Sequence, residues 1–149
     1  MNNKNKYPNE MSFSRHFCAY LKKYGCFIQR IESGLTGKGI PDIFAVVSGV
    51  PMWIELKRVK KNIESKNLIP WRPGQRAWLR QVGQHMMCYT IVMFDDCIGV
   101  ITHGYYPTRP LDYPNNRVSR EKMYETTSMG NVMRYVTYGM TPGPIDVIK

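Results

Sequence analysis

Residues 40–57 read IPDIFAVVSGVPMWIELK, two short apolar runs joined by a turn. Ile43 to Val47 is a continuous apolar stretch of the kind a buried strand needs. Ser48-Gly49-Val50-Pro51 supplies turn chemistry, with Gly free in φ and Pro unable to donate to a ladder. Met52 to Lys57 then alternates. With a side-chain period of two, Ile54 and Leu56 share one face, and Trp53, Glu55 and Lys57 share the other. A hairpin brings Asp42 near Glu55, because each lies at the end of its strand away from the turn. Two carboxylates and an ammonium then meet at one edge of a sheet, among apolar residues, in an arrangement suited to a divalent cation.

Around that hairpin, 149 residues suffice for one domain, with a core over about 9–102 and a C-terminal extension over about 103–149. A hydrophobic share of 43% and a charged share of 21% are ordinary for a globular protein. The net charge of +10 is not, and it points to a polyanionic partner, nucleic acid before an anionic membrane. No apolar run nears the roughly 20 residues that span a bilayer, and MNNKNKYPNEMSF lacks the apolar core of a signal peptide. The expectation is a soluble, cytoplasmic protein. Cys18, Cys26, Cys88 and Cys97 show no CxxC or zinc spacing and read as reduced, partly buried thiols.

Upstream, Phe13, Phe17, Leu21 and Tyr24 recur at helical spacing from Asn9 onward, with Gly25 as the stop. Glu10 projects from the inward side of the first turn. It is either an acid favoured by the helix dipole or a carboxylate aimed at the metal edge, with Ser14 one turn on. Cys26 to Ile31 reads as a short strand. The glycine-rich loop over residues 32–39 lacks the P-loop pattern, but offers backbone N–H groups and Lys38 to a phosphate.

Downstream, RVKKNIESKNLIPWRPG is strongly basic, with Glu64 its only acid. Its place directly after the acidic edge makes Arg58, Lys60, Lys61, Lys66, Arg72 and Arg76 candidate phosphate contacts. Pro73 suits a first helical position, and Ala77, Trp78 and Val82 follow at helical spacing up to Gly83. Met86 to Phe94 is the strongest strand, Asp95-Asp96 a turn, and Cys97 to Thr102 the returning strand. His16, His85 and His103 form no metal-binding pattern and read as structural or surface residues. Beyond them an irregular, Tyr- and Pro-rich loop is expected. A short helix capped by Ser119 and running through Glu125 should follow, then an edge strand over Asn131 to Tyr138. Arg109, Arg117, Arg120 and Arg134 lie in this extension.

Hydrolysing a phosphodiester needs an activated water in line with the leaving oxygen and positive charge on the phosphoryl oxygens. Mg²⁺ supplies both, and it needs only one or two carboxylates besides substrate and water. Asp42 and Glu55 meet that need, and Lys57 points the same way to orient the water or stabilise developing charge. The plain alternative is a cross-strand ion pair on a solvated face.

Pro41-Asp42 followed by Glu55-x-Lys57 resembles the PD-(D/E)xK motif of restriction-endonuclease-like nucleases. The order of elements around it is similar to the VRR-NUC branch: a helix carrying Glu10, a glycine loop, a hairpin, then Pro73-x-Gln75 opening a helix. That branch includes phage-type enzymes and is similar to Holliday-junction resolvases. The resemblance covers about Glu10 to Thr102, and departs from the family at Arg72, where a Ser or Thr is expected before the Pro. It implies an α/β fold, a mixed central sheet flanked by helices. It also implies Asp42, Glu55 and the Leu56 carbonyl as ligands of Mg²⁺ or Mn²⁺, with Glu10 as an outer acid or ligand of a second ion. Lys57 would be the catalytic lysine, and Gln75 would position the water or the lysine. The implied activity is metal-dependent cutting of branched DNA, such as four-way junctions or flaps, by a homodimer. The rivals are a restriction-like or nicking nuclease without branch preference, and an inert basic DNA-binding protein on the same fold.

Overall fold

The computed structural model describes residues 9–31, 39–103 and 123–137. Its frame is a six-stranded sheet in the spatial order of the chain: β1 (Phe27–Arg30), β2 (Ile43–Val47), β3 (Val50–Arg58), β4 (Met87–Met93), β5 (Ile98–Thr102) and β6 (Met123–Thr126). All neighbouring pairs are antiparallel except β3 and β4, which run parallel. A parallel pair needs a long crossover. Here it contains a 3-10 helical segment (Ile63–Leu68) and helix α2 (Gln75–Val82). Helices α1 (Glu10–Lys23) and α3 (Met129–Thr137) complete the mixed sheet with flanking helices that the sequence led us to expect.

Helix α1 starts where local chemistry tells it to. The Asn9 side chain accepts from the Ser12 N–H at 2.9 Å, and Ser12 Oγ accepts in return from the Asn9 N–H, a capping box. It ends with Gly25 at φ +76°, whose N–H donates to the Lys22 carbonyl while the Cys26 N–H donates to that of Leu21. These paired bonds satisfy carbonyls left over at a helix end. Phe13, Phe17 and Leu21 are fully buried, as their spacing predicts. Tyr24 does not continue that face: it caps the helix and is 60% exposed.

The side-chain alternation of the sheet separates two environments. Ile43, Ala45, Met52, Ile54, Leu56, Tyr89 and Ile91 join the apolar residues of α1 and α3 in one core. On the other face Val59, Ile69, Val92, Phe94, Cys97 and Ile101 form a second, smaller core under the crossover. Every residue of β4 is buried, as befits a strand covered on both faces.

Several expectations are corrected. Residues 131–137, read as an edge strand, are helical: Val132, Met133, Tyr135 and Val136 are buried at the spacing of one helix face. Met123–Thr126 is strand β6, not the end of a helix; Ser119 lies outside the described residues, as do Lys38, Arg109, Arg117 and Arg120. Pro73 precedes α2 rather than opening it. The Gln75 N–H donates to the Arg72 carbonyl at 3.0 Å, and Gly74 sits at φ 82°, ψ −11°, the residue pattern of a type II turn. The buried face of α2 is Gln75 and Leu79; Ala77 is exposed and Trp78 only half-buried.

Candidate metal centre

β2 stops pairing with β3 at Ile43↔Ile54, and β3 runs on through Glu55, Leu56, Lys57 and Arg58 beside β4 alone. The candidate site occupies the step so created. Asp42, the residue before β2, donates its backbone N–H to Glu55 Oε1 at 3.2 Å. The Asp42 carbonyl in turn accepts from the Ile31 N–H at 2.7 Å, which ties the end of β1 to the same point. Glu10, the first residue of α1, reaches this edge from the helix. One carboxylate oxygen each from Glu10, Asp42 and Glu55 lie within 4.8 Å of one another. The sequence left the role of Glu10 open between dipole and metal edge; its position puts it in the acidic cluster.

Three acids this close oppose each other's ionisation, and burial adds to the effect. The Glu55 carboxyl is pushed up to about 7, first by burial and then by Asp42, while Lys57 and Arg72 pull it back. Glu10 is also raised, chiefly by burial, with Lys57 opposing and Asp42 adding to the shift. Lys57 Nζ lies 3.2 Å from Glu55 Oε2, and both side chains are almost fully buried. The contact is an ion pair rather than a well-directed hydrogen bond, so Oε2 is a buried carboxylate oxygen without a hydrogen-bond partner. Buried oxygens of that kind are costly unless something positive approaches them.

These features fit a hard dication. The donors are all carboxylate oxygens, which suit Mg²⁺, Mn²⁺ or Ca²⁺ and not a thiophilic metal. Glu55 Oε2 is buried with Lys57 Nζ 3.2 Å away but no hydrogen bond, and the Asp42 side chain is 27% exposed, leaving the cluster open to solvent. Leu56 lies between Glu55 and Lys57 on the stretch of β3 that pairs with β4 but not with β2, with its side chain in the opposite core.

Arg72 reaches this site as well, and the sequence did not foresee it. Its guanidinium stands 3.7 Å from Asp42 Oδ1 and 4.0 Å from Glu55 Oε2, with the side chain 45% exposed. Gln75 holds the segment in place: its Oε1 accepts from the Arg72 N–H at 3.0 Å. Gln75 is fully buried, and its Nε2 has no hydrogen-bond partner. Edge-on packing of Trp71 against the His103 ring, which in turn bonds Thr90 Oγ1 at 2.6 Å, braces the same segment. His103 is thus a buried structural residue.

The basic run divides. Lys60, Lys61, Lys66, Arg72 and Arg76 are exposed. Arg58 is not: it is buried, pairs with Asp95 at 2.7 Å, and donates to the Val59 and Met93 carbonyls. A phosphate contact for Arg58 does not fit that placement. Asp95 and Asp96 both serve long-range bonds, Asp95 to Arg58 and Asp96 through Oδ1, which accepts from the Ile63 N–H at 3.0 Å. Gly39, the described end of the glycine loop, packs so closely that a Cβ there would lie 2.8 Å from the Gly74 carbonyl oxygen.

No protein-family model and no curated protein sequence matches the chain. Among solved structures, the 1.6 Å structure of Hjc, a Holliday junction resolvase from the archaeal hyperthermophile Archaeoglobus fulgidus, aligns with 93% of this chain and 99% of its own. The TM-score is 0.47 and the sequence identity 17%, a distant likeness. Among the described residues no helix is long and apolar enough to cross a membrane.

Proposed function

We propose that this protein is a Mg²⁺-dependent DNA endonuclease that cuts branched DNA. The observation that carries the reading is the convergence of Glu10, Asp42 and Glu55 within 4.8 Å of one another, with Lys57 3.2 Å from Glu55. Asp42 and Glu55 would hold the cation, with the Leu56 carbonyl as a further ligand and Glu10 as the outer acid. When bound, the cation would acidify a water and neutralise charge on the scissile phosphate. Lys57 is held by Glu55 and the walls of the strand, so its ammonium is already oriented for the water or the developing charge, without reorganisation during the reaction. Gln75 fixes the Arg72 segment through its Oε1. Mn²⁺ would replace Mg²⁺, since it accepts the same oxygen donors.

The net charge of +10 supports a nucleic-acid substrate. Lys60, Lys61, Lys66, Arg72 and Arg76 would contact phosphates, which position the duplex without reading bases. The small size of the chain favours recognition of a branch point by shape rather than by a base code. Symmetric cutting of a four-way junction by so small a chain calls for a two-fold dimer.

The test is a labelled four-way junction, a flap, a matched duplex and a single strand, incubated with Mg²⁺ or EDTA. Mg²⁺-dependent cutting of the branched substrates over the linear ones is the expected result. Equal cutting of all four would keep the chemistry and remove the branch. Binding with no cutting under any divalent ion would leave an inert DNA-binding protein.

A further inference from the structure

Arg72 stands where a dication would feel it most. Its guanidinium faces Asp42 Oδ1 and Glu55 Oε2, oxygens of two of the carboxylates of the proposed site. Like charges held near the same carboxylates repel, and a dication repels a guanidinium about twice as strongly as a single charge would. The arginine and a bound cation therefore cannot both keep these places at low energy.

How Arg72 is held shows which of the two would yield. At 3.7 and 4.0 Å its contacts are longer than the 2.7–2.9 Å of charge-assisted hydrogen bonds, and nearly half the side chain is exposed. The backbone beneath is fixed by the Gln75 side chain, the Pro73-Gly74 turn and the packing of Trp71 on His103. A firmly seated base thus carries a loosely held head. Lys57 is the contrast, with a side chain only 4% exposed beside a fully buried Glu55. Glu55 Oε2, buried without a hydrogen bond although Lys57 Nζ lies 3.2 Å away, has room for a closer cation.

We propose that Arg72 neutralises Asp42 and Glu55 in the cation-free protein, is displaced when a divalent cation binds, and then clamps a DNA phosphate. This rests on the nuclease reading above. A guanidinium fork matches phosphate oxygens in a way a point charge does not, so release from the carboxylates converts Arg72 into a phosphate ligand. Cation and DNA binding are then coupled, and the coupling is reciprocal.

Calorimetric titration of Mn²⁺ into the DNA-free protein tests the first half. Arg72→Gln should bind Mn²⁺ roughly tenfold more tightly than the parent. Arg80→Gln, which removes the same charge from exposed α2, should stay within about twofold, and Glu55→Gln should lose binding. Fluorescence anisotropy on a DNA junction tests the second half, with Ca²⁺ as the cation and a gel to check that the DNA stays intact. Without a divalent ion Arg72→Gln and the parent should bind DNA alike; with Ca²⁺ the parent should gain affinity and the variant should gain less. Equal or weaker Mn²⁺ binding by Arg72→Gln, or a DNA defect independent of Ca²⁺, would overturn the role given to Arg72 and leave the nuclease reading standing. Failure of both parent and variant to bind Mn²⁺ would instead remove the metal site itself.

Discussion

Asp42 and Glu55 are joined through the backbone: the Asp42 N–H donates to Glu55 Oε1 at 3.2 Å. The distance between the two acids is therefore fixed by the β2–β3 register, which also pairs Ile43 with Ile54. A slip of one residue would turn Glu55 and Lys57 into the apolar core and bring Ile54 and Leu56 to the site.

Asp42→Asn and Lys57→Ala should each lower single-turnover DNA cleavage by about 10²–10³-fold. Without a divalent ion, binding to the same DNA should change by less than about threefold, since neither is an exposed phosphate contact. Cleavage rates and gel shifts on one substrate check this; unchanged cleavage by Lys57→Ala would remove the lysine from the chemistry.

Glu55 gives a pH signature. Its folded pKa of about 7 lies above its ordinary 4.5, so the folded state holds a proton that the unfolded chain has released between those values. Ionisation of Glu55 therefore adds no cost to folding below about 4.5; stability is lost as pH rises from there through about 7, and the loss levels off above that. A divalent cation requires the ionised form, so Mg²⁺ should raise the melting temperature more at pH 8 than at pH 5.5. An equal rise at both pH values would show that Glu55 does not hold the ion.

Arg58→Ala should cost about 3–5 kcal/mol of folding stability, because it leaves Asp95 facing a site built for a guanidinium. The salt dependence of DNA binding should not change. By contrast, Lys60→Ala or Lys66→Ala should be near neutral for folding and should reduce the salt slope of DNA binding by about one. Denaturant midpoints and affinities at several salt concentrations separate the two classes.

Gly39→Ala should destabilise the protein by about 1–3 kcal/mol, since the residue has φ +91° and its Cβ would press on the Gly74 carbonyl. That carbonyl accepts from the Trp78 N–H at the start of α2, so the substitution should also disturb the Arg72 and Gln75 segment. Reduced cleavage together with a lowered denaturant midpoint is the expected pair of results.

The hairpin, the first helix and the two central strands were legible in the residues alone, because each rests on short-range periodicity or local capping. Alternation over Met52 to Lys57 sorted Glu55 and Lys57 from Ile54 and Leu56, and hairpin closure placed Asp42 beside them. The remaining features depend on contacts between distant segments. Residues 131–137 are a helix because β5 and β6 offer an apolar face to Val132, Met133, Tyr135 and Val136, whereas the run alone is too short to choose a period. Arg58 and Arg72 sit in one basic stretch, yet one is buried against Asp95, 37 residues away, and the other reaches back to Asp42 and Glu55. A side chain's charge is legible in sequence; the charge it meets depends on which distant strand the fold brings alongside.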